Sequence, residues 1–326
     1  MEAIRVHAFG GPEALAVDDV PRPSPGEGEA LVRLDAAGVN FVDIYQRIGL
    51  YPLPLPFTEG SEGAGVVEEV GPGVDAVSPG DRVAFASVQG AYAEEIAAPV
   101  DRLVPIPEAL STELAAAILL QGMTAHCLLY SIRTFERGDW CLIHAVAGGT
   151  GLLLTQMAKR LGLRVIGTTS SPEKAELARA AGADHVVLYT SDDFVGAVSE
   201  VTEGNGVSAV FDSVGRTTFD GSLKCLAPRG TMILFGQSSG TVDPVDPARL
   251  QYGGSLMLTR PRFADFVATR KELLWRSDAV LSMVATGELA VRIHARYPLE
   301  RAIEAHRDLE SRTTSGKLLL VPPARR

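Results

Sequence analysis

The stretch Trp140-Cys141-Leu142-Ile143-His144-Ala145-Val146-Ala147-Gly148-Gly149-Thr150-Gly151-Leu152-Leu153-Leu154 decides the fold. Its apolar opening, Trp140 to Ala145, reads as a buried strand. The glycines read as a tight turn, and the residues from Gly151 to Leu161 read as a helix that stops at Gly162. Strand, glycine turn and helix in that order leave unpaired amide N–H groups and the positive end of a helix dipole facing outward. A Cβ at Gly148 would keep a pyrophosphate from the backbone, so the context predicts a dinucleotide site. A ligand-free tight turn is the plain alternative, and the strand that follows tells against it.

That strand, Arg164 to Thr168, runs into Thr169-Ser170-Ser171. A chain that selects NAD carries Asp or Glu about 20 residues past the glycines, to grip the ribose hydroxyls. Here no acid comes before Glu173; the position offers hydroxyls, with Lys174 in the first turn of the next helix. A lysine there opposes the helix dipole, and a bound 2′-phosphate would give it a partner. The alternative is an ordinary solvated lysine. The pattern predicts NADPH over NADH.

Strands and helices alternate beyond this motif. Pro172 to Ala181 reads as a helix with Ser171 as N-cap and Gly182 past its end. Val186 to Leu188, Val207 to Phe211 and Thr231 to Phe235 read as further strands, which together predict a parallel sheet covered on both faces. Upstream, Thr112 to Leu120 and Thr124 to Ser131 read as two helices, the first capped by Ser111. The region before Glu108 is different. Proline is dense there and then absent until Pro172. Short apolar runs at Ala30 to Leu34, Gly65 to Val70 and Asp81 to Ala86 are separated by Gly/Pro turns, which predicts a barrel-like β domain. Beyond Arg260 the pattern is helical from about Phe263 to Ala285 and from Leu299 to Leu309, with a last strand at Lys317 to Val321.

Composition narrows the function classes. The 326 residues suggest two domains. A net charge of −10 tells against nucleic acid as a principal partner. The longest uninterrupted apolar run, Leu114 to Leu120, predicts no membrane span, and no secretory signal is visible at Met1-Glu2-Ala3-Ile4-Arg5. Cys127, Cys141 and Cys225 form no Cys-x-x-Cys pair, which excludes a thiolate zinc framework and fits a reducing cytoplasm. The scattered histidines form no ligand pair.

Several further motifs occur in order along the chain. They are Gly10-Gly11-Pro12-Glu13, Gly38-Val39-Asn40-Phe41-Val42-Asp43 with Tyr45, Gly49-Leu50-Tyr51-Pro52 and Gly60-Ser61-Glu62-Gly63-Ala64-Gly65. Gly122-Met123-Thr124-Ala125 precedes the glycine turn. Asp212-Ser213-Val214-Gly215, Phe235-Gly236-Gln237-Ser238-Ser239-Gly240, Leu258-Thr259-Arg260-Pro261 and Glu310-Ser311-Arg312 follow it. Taken together, the chain resembles from end to end the zinc-free quinone oxidoreductases, the zeta-crystallin-like branch of the medium-chain dehydrogenase/reductase superfamily. The resemblance implies an α/β fold. A GroES-like β-barrel domain (1–122 and 262–326) is completed by the C-terminal segment, and a Rossmann doubly wound parallel sheet domain (123–261) is inserted in it, with NADPH in the cleft. It also implies a homodimer joined through Rossmann edge strands, for which Thr231 to Phe235 and Leu256 to Thr259 are candidates. The zinc-dependent relatives carry a cysteine and Gly-His-Glu around a catalytic metal. This chain has Asn40 and Gly60-Ser61-Glu62 there, so no metal is expected.

Carried over residue by residue, the resemblance places Asn40, Tyr45 and Tyr51 at the nicotinamide and substrate end, where they would orient a quinone and contact its developing oxyanion. Thr124 would contact the nicotinamide or its ribose. Ala147, Gly148, Gly149, Thr150 and Gly151 would carry the pyrophosphate. Thr169, Ser170, Lys174 and Tyr189 would surround the adenosine phosphate. Ser213, Phe235, Gly236, Arg260 and Arg312 complete the expected cofactor contacts. A quinone accepts a hydride without a metal, so orientation would supply much of the acceleration. Two other readings remain open: an NADPH-dependent 2-alkenal or enone reductase, and a non-catalytic NADPH-binding protein of the crystallin or RNA-binding kind.

Overall fold

The structure, a computed structural model, describes residues 1–323. By its internal contacts the chain divides into two compact units. One is Met1–Met123 together with the chain from Val267 onward, and the other is Thr124–Phe266.

The second unit is built on six parallel strands. In spatial order they are His185–Leu188, Arg164–Thr169, Trp140–Ile143, Val207–Asp212, Leu226–Leu234 and Met257–Thr259. This is the doubly wound order, reversing direction between Trp140–Ile143 and Val207–Asp212, and ligands of such sheets sit at the strands' C-terminal ends beside the reversal. The strands are near-continuous apolar runs because both faces are covered. Leu142, Ile166, Val187, Val210 and Met232 are buried in one core. The helix Pro172–Ala180 is capped by Ser171, and Gly182 beyond it takes a left-handed φ of +107°.

The first unit holds two sheets. The larger runs Ile293–Pro298, Lys317–Val321, Glu29–Val39, Glu62–Val70, Arg82–Ala86 and Val104–Pro105, with Glu95–Pro99 also paired to Glu29–Val39. The smaller pairs Glu2–Val6 with Leu15–Asp19 and Phe57–Thr58. Their shared core includes Ile4, Val32, Phe85, Tyr92 and Leu318. The strand Lys317–Val321 lies antiparallel to Glu29–Val39, so the C-terminal segment completes the N-terminal sheet.

Several expectations need correcting. Thr112–Tyr130 is one continuous helix, not two. Gly122 does not break it, because a Cβ there would lie 2.5 Å from Val280 Cγ1; close packing of a second helix, Arg270–Ala285, offsets the helix cost of glycine. This helix is also long and apolar enough to cross a membrane by length and composition, which the uninterrupted-run criterion missed; 67% of its most apolar window is buried inside the protein, as in a core helix. The first sheet strand ends at Ile143, because Ala145 turns to a φ of +51°. Thr231 to Phe235 is not an edge: Leu226–Leu234 is hydrogen-bonded on one side to Val207–Asp212 and on the other to Met257–Thr259. The sheet edge on that side is Met257–Thr259.

One of the two tightest backbone approaches in the first unit is at Gly65, opposite Leu34, where an added Cβ would overlap the carbonyl oxygen of Arg33. Gly65→Ala should therefore push two central strands apart and lower stability by about 3 kcal/mol. An unchanged urea midpoint would show that the pairing tolerates the methyl group.

Candidate functional site

The glycine turn leaves the sheet at its C-terminal end. Val146 N–H donates to Thr168 O at 3.0 Å and Gly148 N–H to Ala145 O at 2.9 Å, so the turn folds back on itself. The helix Gly149–Arg160 then starts with Gly148 as N-cap, and its first-turn amides point away from the helix with no intrahelical acceptor. A Cβ on Gly151 would overlap Ala145 O, and a Cβ on Gly167 in the next strand would lie 2.6 Å from Val146. Small residues are thus required under the turn as well as in it. Ala147 is buried, while Gly148, Gly149 and Thr150 are partly exposed, which leaves the cradle accessible to an anion.

The strand pairing brings the predicted adenosine-phosphate residues together. Thr169 is in register with Leu188, and Tyr189 N–H donates to Thr169 O at 3.1 Å. Ser170, Lys174 and Tyr189 consequently emerge at one strand end. Tyr189 is exposed, and Lys174 is partly buried, which holds its ammonium below the usual range. No carboxylate precedes Glu173, whose own side chain turns back to Ser171. On the far side of the sheet reversal, Ser213 follows Asp212, and a Cβ on Gly236 would lie 2.9 Å from Ser213 Cα. Phe235 N–H donates to Asp212 O at 2.9 Å, and Arg260 Nη1 reaches Gly236 O at 3.5 Å. Thr124 is partly exposed on the long helix.

Asn40, Tyr45, Tyr51 and Arg312 belong to the first unit. Asn40 caps the helix Phe41–Arg47 through a capping box with Asp43. Tyr45 is 8% exposed and meets the exposed Tyr51 edge-on, ring centroids 5.3 Å apart. Arg312 sits in the turn after the helix Ala302–Glu310 with φ +60°.

Sequence reasoning missed the buried polar lattice around Asn40. Lys317 Nζ donates to Glu62 Oε2 at 2.5 Å and to Asn40 Oδ1 at 2.7 Å. The Asn40 amide donates in turn to Glu62 Oε2 and to Gly38 O, both at 3.0 Å. Both of its N–H groups are therefore engaged. Leu120 N–H donates to Glu62 Oε1 at 2.6 Å. An ammonium thus neutralises Glu62, and Asn40 and Ser61 stand where the zinc-dependent relatives carry their cysteine and histidine. Among the described residues no group of three or more His, Cys, Asp or Glu side chains converges to hold a metal.

A second chain of contacts lies beside it. Asp43 accepts from Asn40 N–H, Ser61 Oγ–H and Tyr92 O–H, each at 2.8 Å. Tyr92 O–H lies 3.2 Å from His306 Nε2, and Arg47 Nη1 donates to His306 Nδ1 at 2.9 Å. Arg47 also pairs with Glu310 at 2.7 Å. Arginine can only donate, so His306 is neutral, in the tautomer that donates from Nε2. Burial and the Arg47 charge hold its pKa down to about 3. Burial pushes the Asp43 carboxyl up to about 6, against the pull of its three donors. Glu59 is fully buried, has one carboxylate oxygen with no hydrogen-bond partner, and is pushed up to about 8 by burial and the Asp43 charge. Glu59 is the acid that holds a proton at neutral pH.

The comparisons extend over the whole chain. Residues 26–108 match the family described as alcohol dehydrogenase GroES-like domain, and residues 149–272 the family described as zinc-binding dehydrogenase. A mycobacterial protein solved in complex with NADPH is 50% identical, with a TM-score of 0.96, over 99% of this chain and 100% of its own. The quinone oxidoreductase of Escherichia coli, also solved with NADPH, is 42% identical with a TM-score of 0.96, over 99% of this chain and 100% of its own. A 2-haloacrylate reductase of Burkholderia sp is 40% identical over 98% of each chain.

Glu59 gives the stability a pH dependence. Its pKa in the folded chain, about 8, lies above the ordinary 4.5. The stabilisation it confers is complete below pH 4.5 and is lost as pH rises through 8. Glu59→Gln does not titrate, so it should gain on the native chain between pH 5 and pH 9, by on the order of a few kcal/mol. Urea denaturation across that range checks this. A stability difference independent of pH would mean that Glu59 stays ionised.

Proposed function

This chain belongs to the zinc-free quinone oxidoreductases of the medium-chain dehydrogenase/reductase superfamily, and on that basis we propose that it reduces quinones with NADPH and without a metal. The observation that carries this reading is the pairing of Lys317 with Glu62 and Asn40. A buried ammonium there neutralises Glu62, the Asn40 amide is fully engaged, and Asn40 and Ser61 replace the cysteine and histidine of the zinc-dependent relatives. The chain must then use an acceptor that needs no Lewis acid to polarise it, and an electron-poor quinone ring is one.

NADPH supplies the reducing equivalent from its nicotinamide when bound. The residues assigned to hold it are Ala147, Gly148, Gly149, Thr150 and Gly151 at the pyrophosphate, and Thr169, Ser170, Lys174 and Tyr189 at the adenosine phosphate. Thr124, Ser213, Phe235, Gly236, Arg260 and Arg312 are assigned to the rest. The fit rests on the accessible cradle at Gly148, Gly149 and Thr150 and on the absence of an acid between the glycine turn and Glu173. Tyr45 and Tyr51 orient the acceptor, and their hydroxyls stabilise the oxygen on which negative charge builds. Asn40, with its amide anchored, acts by holding the start of the helix that carries Tyr45. The 40% identity to a 2-haloacrylate reductase supports a second reading, reduction of an activated carbon–carbon double bond by the same residues, with a tyrosine supplying the proton.

We assign the partner surface to a second copy of the chain, added at the edge strand Met257–Thr259, whose Met257 is 49% exposed. The three free, buried cysteines fit the reducing cytoplasm we propose as its location.

An NADPH-oxidation assay with 1,2-naphthoquinone, 9,10-phenanthrenequinone and 2-alkenals side by side tests the reading. Quinone turnover is expected to dominate, and turnover with the alkenals alone would transfer the assignment to the second reading. Asn40→Ala and Tyr51→Phe should each slow quinone turnover; full activity in both would remove those residues from the site. Lys174→Ala should weaken NADPH binding by about 1.5–3 kcal/mol and leave NADH binding nearly unchanged. Equal losses for the two cofactors would refute a phosphate role for Lys174.

A further inference from the structure

His144 is the last residue before the glycine turn, and its side chain is 2% exposed. Its ring does not face a ligand surface. Nδ1 lies 2.8 Å from Thr168 Oγ1, and Nε2 lies 2.9 Å from Ser222 Oγ. Ser222 Oγ–H donates to Asp212 Oδ2 at 3.0 Å, and Thr218 Oγ1–H donates to the same oxygen at 2.7 Å. Asp212 Oδ1 accepts from Val214 N–H at 2.7 Å and Gly215 N–H at 2.9 Å. Phe194 closes the ring edge-on at a centroid distance of 5.0 Å and packs over Gly221, where a Cβ would have no room.

The direction of every proton in this chain follows from its carboxylate end. Asp212 accepts at both oxygens, so Ser222 must give its only proton to it. Ser222 Oγ therefore accepts from His144 Nε2–H, and Nδ1, left unprotonated, accepts from Thr168 O–H. Burial holds the imidazole below its ordinary pKa against the pull of Asp212, and the neutral ring has one permitted tautomer.

We propose that His144 is a positioning residue for the dinucleotide, a neutral bridge that sets the spacing of three strand ends at once. It ties the start of the 145–151 turn to the end of Arg164–Thr169, from which Ser170 and Lys174 follow, and to Asp212, from which the 213–215 loop follows. These are the segments assigned to the pyrophosphate, the adenosine phosphate and the far side of the cofactor, so the proposal deepens the NADPH reading and rests on it. Leucine or phenylalanine would fill the same volume but would leave Thr168 and Ser222 without their partner. The turn could then shift while the fold persisted.

The test uses His144→Phe, with Thr168→Val and Ser222→Ala as milder variants that each remove one hydroxyl. Titration of protein fluorescence should give a Kd for NADPH raised about tenfold in each variant, and raised by the same factor for NADH. That equality separates a positioning role from the phosphate role of Lys174. With quinone, the change should fall on the KM for NADPH more than on kcat. In the protein without nucleotide, amide hydrogen exchange should quicken at 145–151 and 213–215 relative to the first unit. Variants with unaltered Kd, or with unaltered exchange at these segments, would overturn the proposal. If His144→Phe fails to fold, Thr168→Val and Ser222→Ala decide by the same two measurements. A native chain that binds no NADPH would overturn the functional reading, and the exchange measurement would still decide whether His144 orders the three segments.

Discussion

Backbone meets backbone at Gly151. Its α-carbon sits where any side chain would overlap the Ala145 carbonyl, and that contact lets the helix Gly149–Arg160 begin directly over the end of a central strand. Everything near the turn adapts to it. Ala145 takes a left-handed φ, Val146 bonds across to Thr168, and Gly167 leaves room for the Val146 side chain. A helix pressed this close delivers its unpaired amides and the positive end of its dipole to a small space, which is the physical requirement for holding a pyrophosphate.

The first unit solves a different problem, the burial of several charges. A buried charge is tolerable when it is paired and its remaining polar atoms are bonded. Lys317 and Glu62 satisfy that condition through Asn40 and Leu120 N–H, and Asp43 through three donors. Glu59 does not satisfy it: one of its oxygens has no partner, and burial with the Asp43 charge beside it pushes its pKa up to about 8.

The two units share a strategy: polar side chains are used to hold backbone in place. Asp43 fixes the N-terminus of the helix that carries Tyr45, and Asp212 fixes the loop that follows its strand. Such support is what keeps reacting groups within the narrow tolerance that orientation-based catalysis demands. A reaction that proceeds by placing a flat acceptor against a reduced nicotinamide depends on such tolerance more than on strong acids or metals.

Local pattern was enough to read the alternation of strand and helix from Trp140 onward, the glycine turn, the Ser171–Gly182 helix frame and the missing acid before Glu173. Each depends on residues within a few positions of one another, where propensity, capping and periodicity operate. Tertiary structure alone decided the rest. Gly122 gives Val280, from a helix far along the chain, room to pack against the helix Thr112–Tyr130. Thr231 to Phe235 lies inside the sheet because Met257–Thr259 pairs beyond it. The links from Asn40 to Lys317, from Arg47 to His306 and from His144 to Ser222 join positions that no sequence spacing relates. Buried polar groups must find partners wherever the fold brings them, and the chain's linear order carries no record of that distance.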